Sequence, residues 1–148
     1  MNTFTFAEMI HGLLHPAAQS RSGKSVEGFG YIMLAESLAV LLVPQLVAGL
    51  LQLDPLSAQS ATYFRIGGLL IGGLGLLYVI SGRLNANGFI FASMIDRPLV
   101  PPTMLLLWSL GIVPGTLALV FSTFDFGTFL WTLFAWRADL RERDSSDV

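Results

Sequence analysis

The chain has no cysteine, and only 12% of its 148 residues are charged. Without cysteine there is no disulfide, no thiolate nucleophile, no cysteine-held zinc and no iron–sulfur cluster. A soluble domain carries about 25% charged residues. At half that density a globular surface cannot be covered with polar groups. A basic patch with interleaved aromatics is also missing, which sets nucleic acid aside as a partner. No Asn-x-Ser/Thr sequon occurs. The first residues, MNTFTFAEMIHGLLHPAAQ, lack the basic and long apolar regions of a cleaved signal peptide. There is no P-loop, no dinucleotide fingerprint and no nucleophile–base constellation. No histidine falls inside an apolar run, so histidine-ligated haem in a bilayer is unsupported.

What is present is apolar. Hydrophobic residues make up 53% of the chain, and the mean hydropathy is +0.67. The class this implies is all-α: an integral membrane four-helix bundle preceded by an N-terminal amphipathic interfacial helix. The first span reads from Tyr31 to Leu53, about 23 residues, enough at 1.5 Å per residue to cross a ~30 Å hydrocarbon core. Pro44 lies inside it and predicts a kink. The second span is YFRIGGLLIGGLGLLYVISG, Tyr63 to Gly82. From Leu99 to Trp136 about 38 residues carry one charge, Asp125, enough for two spans. A turn at Pro114-Gly115 gives spans 99–113 and 116–136. A turn at Ser122–Asp125 leaves a last helix too short to cross. Pro-Gly is also the stronger turn signal.

Lysine and arginine sort by side. Arg21 and Lys24 precede span one, Arg83 and Arg97 lie between spans two and three, and Arg137, Arg141 and Arg143 follow span four. The other two loops carry none. By the positive-inside rule both termini are cytoplasmic, in the plasma or inner membrane if the source is bacterial. Three segments follow: residues 1–30 as a cytoplasmic amphipathic helix and linker, 31–136 as the four-transmembrane-helix domain, 137–148 as a charged cytoplasmic tail. Thr5-x-x-Glu8 is a capping-box pattern. Phe6, Met9, Ile10, Leu13 and Leu14 share one helical face, and Glu8, His11 and His15 the other, as in an interfacial helix. The loop GRLNANGFIFASMIDRP reads as a turn at Asn87-Gly88 followed by an apolar segment dipping towards the interface.

Few residues could carry chemistry. Glu36 falls about five residues into span one, where Arg83 and Arg97 arrive at similar depth. It is either half of an inner-side ion pair or a proton or ligand site. Asp125 lies near mid-membrane if span four starts at Thr116, or caps an outer turn if it does not. Arg65, alone at the outer end of span two, needs an anionic partner such as Asp125 or Asp54, or acts as a surface anchor. Glu8, His11 and His15 have a spacing that permits a metal, although a solvated polar face is the better account of them. Tyr31, Tyr63, Tyr78, Trp108, Trp131 and Trp136 read as packing or interfacial-belt residues. Gly68, Gly72, Gly75 and Gly82 share one face of span two, a groove where another helix backbone can approach closely.

The glycine-rich second helix ending in LYVISGR, the loop with Phe89 and Asp96-Arg97-Pro98, and a last helix ending FLWTLFAWRAD resemble the DoxX-like group of small four-helix membrane proteins. The resemblance covers Tyr31 to Asp139. It implies association with a membrane redox system such as a quinol-oxidase subunit. The residues supply no redox centre, so that role would belong to a partner or a bound quinone. The residues name no cofactor and no catalytic group. The leading functional reading is a non-catalytic accessory or assembly subunit in the lipid bilayer, as a homo-oligomer or within a larger membrane complex. A second is a small transporter, channel or binder of a quinone- or sterol-like ligand through Glu36, Arg65 and Asp125. A third is a membrane enzyme.

Overall fold

Three of the helices begin on a side-chain cap, and three are followed by a left-handed residue. The computed structural model describes residues 5–16 and 19–146, and every regular element among them is helical. Helix α1 (Phe6–Leu14) opens on a capping box: Thr5 and Glu8 satisfy each other's backbone amides. Helix α2 (Arg21–Leu42) opens on Ser20, whose hydroxyl accepts from the Gly23 amide at 2.9 Å. Pro44 has no N–H to continue α2, so the chain breaks at Val43 and restarts as α3 (Pro44–Leu50). Helix α4 (Ala58–Arg83) is capped by Ser57. Helix α5 (Asn87–Asp96) runs through a 3₁₀ turn, Arg97–Leu99, into α6 (Val100–Ser109). Helix α7 (Gly115–Ser146) completes the chain. Gln52, Asn85 and Gly111 adopt φ of 56°, 49° and 69°. Each is followed by an amide bonded five residues back, the signature of a Schellman stop.

Among the described residues, four helical segments are long and apolar enough to cross a membrane: Arg21–Leu42, Ala58–Arg83, Asn87–Ser109 and Gly115–Ser145. These bounds correct several boundaries read from hydropathy. Residues 21–30 are the first turns of α2, not a linker. The loop after Gly82 is mostly helix α5, and the third candidate span is the helical segment Asn87–Ser109, longer at its start than the 99–113 read from hydropathy. The last helix runs on to Ser146, so residues 137–146 continue it and are not a separate tail. The third and fourth crossings do part at the Pro-Gly turn.

Helix α2 is the centre of the bundle, with α4 on one face and α7 on another, while α6 packs on α7. The α2–α4 seam is built from residues with almost no side chain. A Cβ on Gly82 would lie 2.6 Å from the Gly23 carbonyl, and one on Gly30 would lie 2.7 Å from the Gly75 carbonyl. Gly72 meets Ser37 and Gly68 meets Val40. Small residues recur every seventh position on both helices, at 23, 30 and 37 and at 68, 75 and 82, and they face one another antiparallel. The glycine groove on α4 is therefore filled by α2. A small core lies beside the seam, formed by Val26, Phe29, Met33, Tyr78, Ile90 and Met94. The outward faces stay apolar: Leu70, Leu119 and Ile112 are among the exposed side chains. That is the reverse of a protein covered by water.

Candidate functional site

Glu36 and Asp125 line the same cavity. Its volume is ≈ 380 Å³, and α2, α3, α4 and α7 each contribute to its wall. Phe29, Ile32 and Met33 come from α2, Val47, Leu50 and Leu51 from α3, Ile71 from α4, and Val120, Phe121 and Phe124 from α7. The two carboxylates are the only polar side chains in that wall. Neither side chain makes a hydrogen bond or ion pair among the described residues. Glu36 is about fifteen residues from the start of α2, roughly 22 Å along its axis. It therefore sits near mid-bundle, level with Gly72 and Ser37, and not at the inner boundary as its expected partnership with Arg83 or Arg97 requires. Asp125 lies within α7, beyond the turn at its start.

Arg97 is not in a loop. It is 1% exposed, with its guanidinium carbon 4.0 Å from the Phe29 ring centroid and 5.1 Å from that of Tyr78. Its Nη1 donates to the Thr128 carbonyl at 3.1 Å and the Thr132 hydroxyl at 3.0 Å, while Nε and Nη2 have no partner. Among the described residues it forms no ion pair; in place of the partner expected for it, its guanidinium rests on aromatic faces. Phe29 belongs to both settings: it lines the cavity and carries Arg97 on its ring.

Arg83 does form an ion pair, with Glu27 at 2.7 Å. It also donates to the Tyr31 hydroxyl at 3.0 Å and to the Leu13 carbonyl at 3.1 Å, tying the end of α1 to α4. Gln19 adds a hydrogen bond to the other Glu27 oxygen at 2.7 Å. Glu27 was hidden by the late start expected for the first span.

Arg65 meets no carboxylate. It is exposed, and its Nε donates to the Leu41 carbonyl at 3.0 Å. That carbonyl stands at the Pro44 break, so Arg65 repairs the interrupted helix. Glu8 accepts from the Thr5 amide and hydroxyl, both at 2.8 Å. The rings of His11 and His15 stack at 5.0 Å. No group of three potential metal ligands forms among the described residues. Tyr78, read as a possible belt residue, is buried against Phe29 and Phe89.

A second polar set, missed from the sequence, fastens the end of the bundle where α2 starts. Asp139 of α7 accepts from the Arg21 amide at 3.0 Å, the Ser22 amide at 2.9 Å and the Ser22 hydroxyl at 2.6 Å. It acts as an N-terminal cap supplied by another helix. Ser25 reaches the Thr132 hydroxyl at 3.1 Å one turn further in. Arg21 pairs with Glu142 outside this buried set.

Comparison with protein-family models, with curated proteins and with solved structures gives no match to this chain.

Proposed function

We propose that this is a membrane protein that binds a lipid-soluble small molecule in the cavity between α2, α3, α4 and α7, using Glu36 and Asp125 to orient it. The observation that carries the reading is the convergence of two carboxylates, far apart in sequence, on one apolar cavity. Ligand sites have this character: mostly apolar walls, a few placed polar groups, and volumes of roughly 300–1,000 Å³. Carboxylates inside membrane helices are costly, and their usual use is function. The polar groups around Arg65 and Arg83 are spent on the frame, which leaves these two for a ligand. Nothing brings a nucleophile or an acid–base pair together with them, so binding or transfer across the bilayer fits better than an enzyme.

The test is a panel of quinones, sterols and amphiphiles against purified protein, read as a shift in thermal unfolding. The expected result is stabilisation of wild type by at least one member of the panel, which Ile71→Trp, filling the cavity, abolishes and which Glu36→Gln and Asp125→Asn reduce where the member carries a charged or hydrogen-bonding group. No stabilisation by any member would reject the reading. The DoxX-like resemblance of residues 31–139 favours a quinone in that panel.

A second reading, as an accessory subunit or homo-oligomer, is favoured by α6. It buries none of its residues and packs on α7 beside a further cavity of ≈ 410 Å³ lined by Leu105, Trp108 and Leu119. Crosslinking and native mass spectrometry test it, and a strictly monomeric protein without a partner counts against it. The inner placement of both termini rests on the basic end of the bundle, where Arg21, Lys24, Arg83 and Arg137 gather. Labelling of single cysteines introduced at Ser20 and Leu56 in intact cells decides it. In this arrangement α1 lies on the inner interface with Phe6 and Leu14 towards lipid.

A further inference from the structure

We propose that the cavity ligand is a lipophilic monocation: a protonated amine, or a quaternary ammonium or phosphonium centre, carrying apolar groups. This rests on the reading of the cavity as a ligand site and adds the sign of the charge. The argument is one of balance. Around the cavity the bundle holds Glu36 on α2 and Asp125 on α7, while Arg97 sits in the turn before α6. One positive charge thus stands against two negative ones in surroundings where a charge without a counter-charge is strongly disfavoured. Other charged groups near this set do not restore the balance. Asp96, beside Arg97, is exposed and stands outside the enclosed set. Arg65 is engaged with the Leu41 carbonyl at the outer end, and α3 contributes only Val47, Leu50 and Leu51 to the wall. Tyr78 of α4 is uncharged in its ordinary state. One added positive charge brings Glu36, Asp125 and Arg97 to neutrality, whether it is a proton taken up by one carboxylate or a cationic ligand that competes with that proton. An anion deepens the imbalance, and a neutral molecule leaves it.

The walls suit such a ligand. Phe29, Phe121 and Phe124 present three aromatic rings beside the two carboxylates, and aromatic faces attract cations as well as apolar surface. Phe29 already holds one cation, Arg97, on its ring. The pairing of carboxylate and aromatic groups distinguishes this cavity from that between α6 and α7, which has no charged lining residue.

The experiment compares three probes of similar shape and different charge: tetraphenylphosphonium, neutral triphenylphosphine oxide and tetraphenylborate. Binding is measured by isothermal titration calorimetry in non-ionic detergent, with detergent blanks. The expected result is that the phosphonium binds at least tenfold more tightly than the neutral probe, and the borate not measurably. Glu36→Gln and Asp125→Asn should each weaken the phosphonium tenfold or more and leave the neutral probe within twofold. Phosphonium affinity should also fall as the pH is lowered, because protons compete for the same two carboxylates. Equal binding of the phosphonium and neutral probes, with both lost in Ile71→Trp, overturns the charge inference and leaves the cavity as a ligand site. Phosphonium binding that neither carboxylate variant changes also overturns it. Loss of all binding in both variants is checked by circular dichroism. If they are folded, loss of the neutral probe as well refutes selection by charge.

Discussion

The α2–α4 seam gives the sharpest test of the fold. Replacing Gly82 or Gly30 by alanine adds one methyl group to each helix. In water this helps a helix by roughly 1 kcal/mol. Here the new Cβ meets backbone: 2.6 Å from the Glu27 nitrogen and Gly23 carbonyl at position 82, and 2.7 Å from the Gly75 carbonyl and Val79 nitrogen at position 30. Each distance is about 0.7 Å short of ordinary contact. Backbone inside a helix cannot turn aside as a side chain can, so the two helices must part. Overpacking of this kind costs about 1–3 kcal/mol. The double variant should cost less than the sum, because one outward movement of α4 relieves both clashes. Gly67 and Gly73 lie on the same helix with nothing within 4 Å of a built Cβ. Their alanine variants are the controls and should be neutral or stabilising. Reversible unfolding from mixed micelles by added dodecyl sulfate, followed by helical circular dichroism, reads the differences. If Gly30→Ala, Gly82→Ala and Gly73→Ala unfold at the same detergent fraction, the seam does not hold the helices as described.

Three further outcomes follow from single contacts. Asp139→Ala removes the acceptor for two amides and a hydroxyl at the start of α2, and should cost about 1–3 kcal/mol in the same unfolding assay, with Asp139→Asn losing less. Arg65→Met frees the Leu41 carbonyl at the Pro44 break. A ¹³C label on that carbonyl should shift to higher infrared frequency, and stability should fall by about 1 kcal/mol. Glu8, outside the spans, is held below the usual glutamate range by hydrogen bonds from the Thr5 amide and hydroxyl. A depressed carboxylate stabilises the folded form above its unfolded pKa and loses that contribution as pH falls through its folded value. The helical signal of α1 should therefore weaken on acidification, with the Glu8 carboxyl titrating by ¹³C NMR below an ordinary glutamate. Thr5→Ala should return it towards that value.

Four helices long and apolar enough to cross a membrane were legible in the sequence because their evidence is local: long apolar runs, a Pro-Gly turn and a proline inside the first run. The start of α2 was not. Ser20-Arg21-Ser22-Gly23-Lys24 reads as polar, yet Ser22, Gly23 and Ser25 are buried because they are small enough for α4 and α7 to approach. Hydropathy gives such residues little weight, although Gly23, Gly30 and Ser37 recur every seventh position as Gly68, Gly75 and Gly82 do on α4, a signal that was available. Arg97 was misplaced for a related reason. A charge read along the chain suggests a surface, whereas its burial depends on rings from α2 and α4 and on oxygens from α7. No local pattern contains that combination.

Arg65 shows how the same distinction bears on function. Sequence reasoning grouped it with Glu36 and Asp125 because all three are ionisable residues in apolar runs. Their depths and partners separate them. Arg65 caps a carbonyl exposed by Pro44, and nearby the Gln45 side chain makes two hydrogen bonds to Leu56, at 2.7 Å and 3.1 Å. These contacts hold α3, which supplies Val47, Leu50 and Leu51 to the cavity wall. Of the elements around the cavity, α2 and α4 meet backbone to backbone along the seam, whereas α3 is fastened by the Gln45–Leu56 hydrogen bonds and, just beyond its end, by Thr116 on Gln52. If the proposed ligand binds there, Arg65 bears on it only indirectly, by holding the end of α2 from which α3 starts. Arg65→Met should change the affinity of neutral and cationic probes alike, whereas Glu36→Gln and Asp125→Asn should separate them by charge.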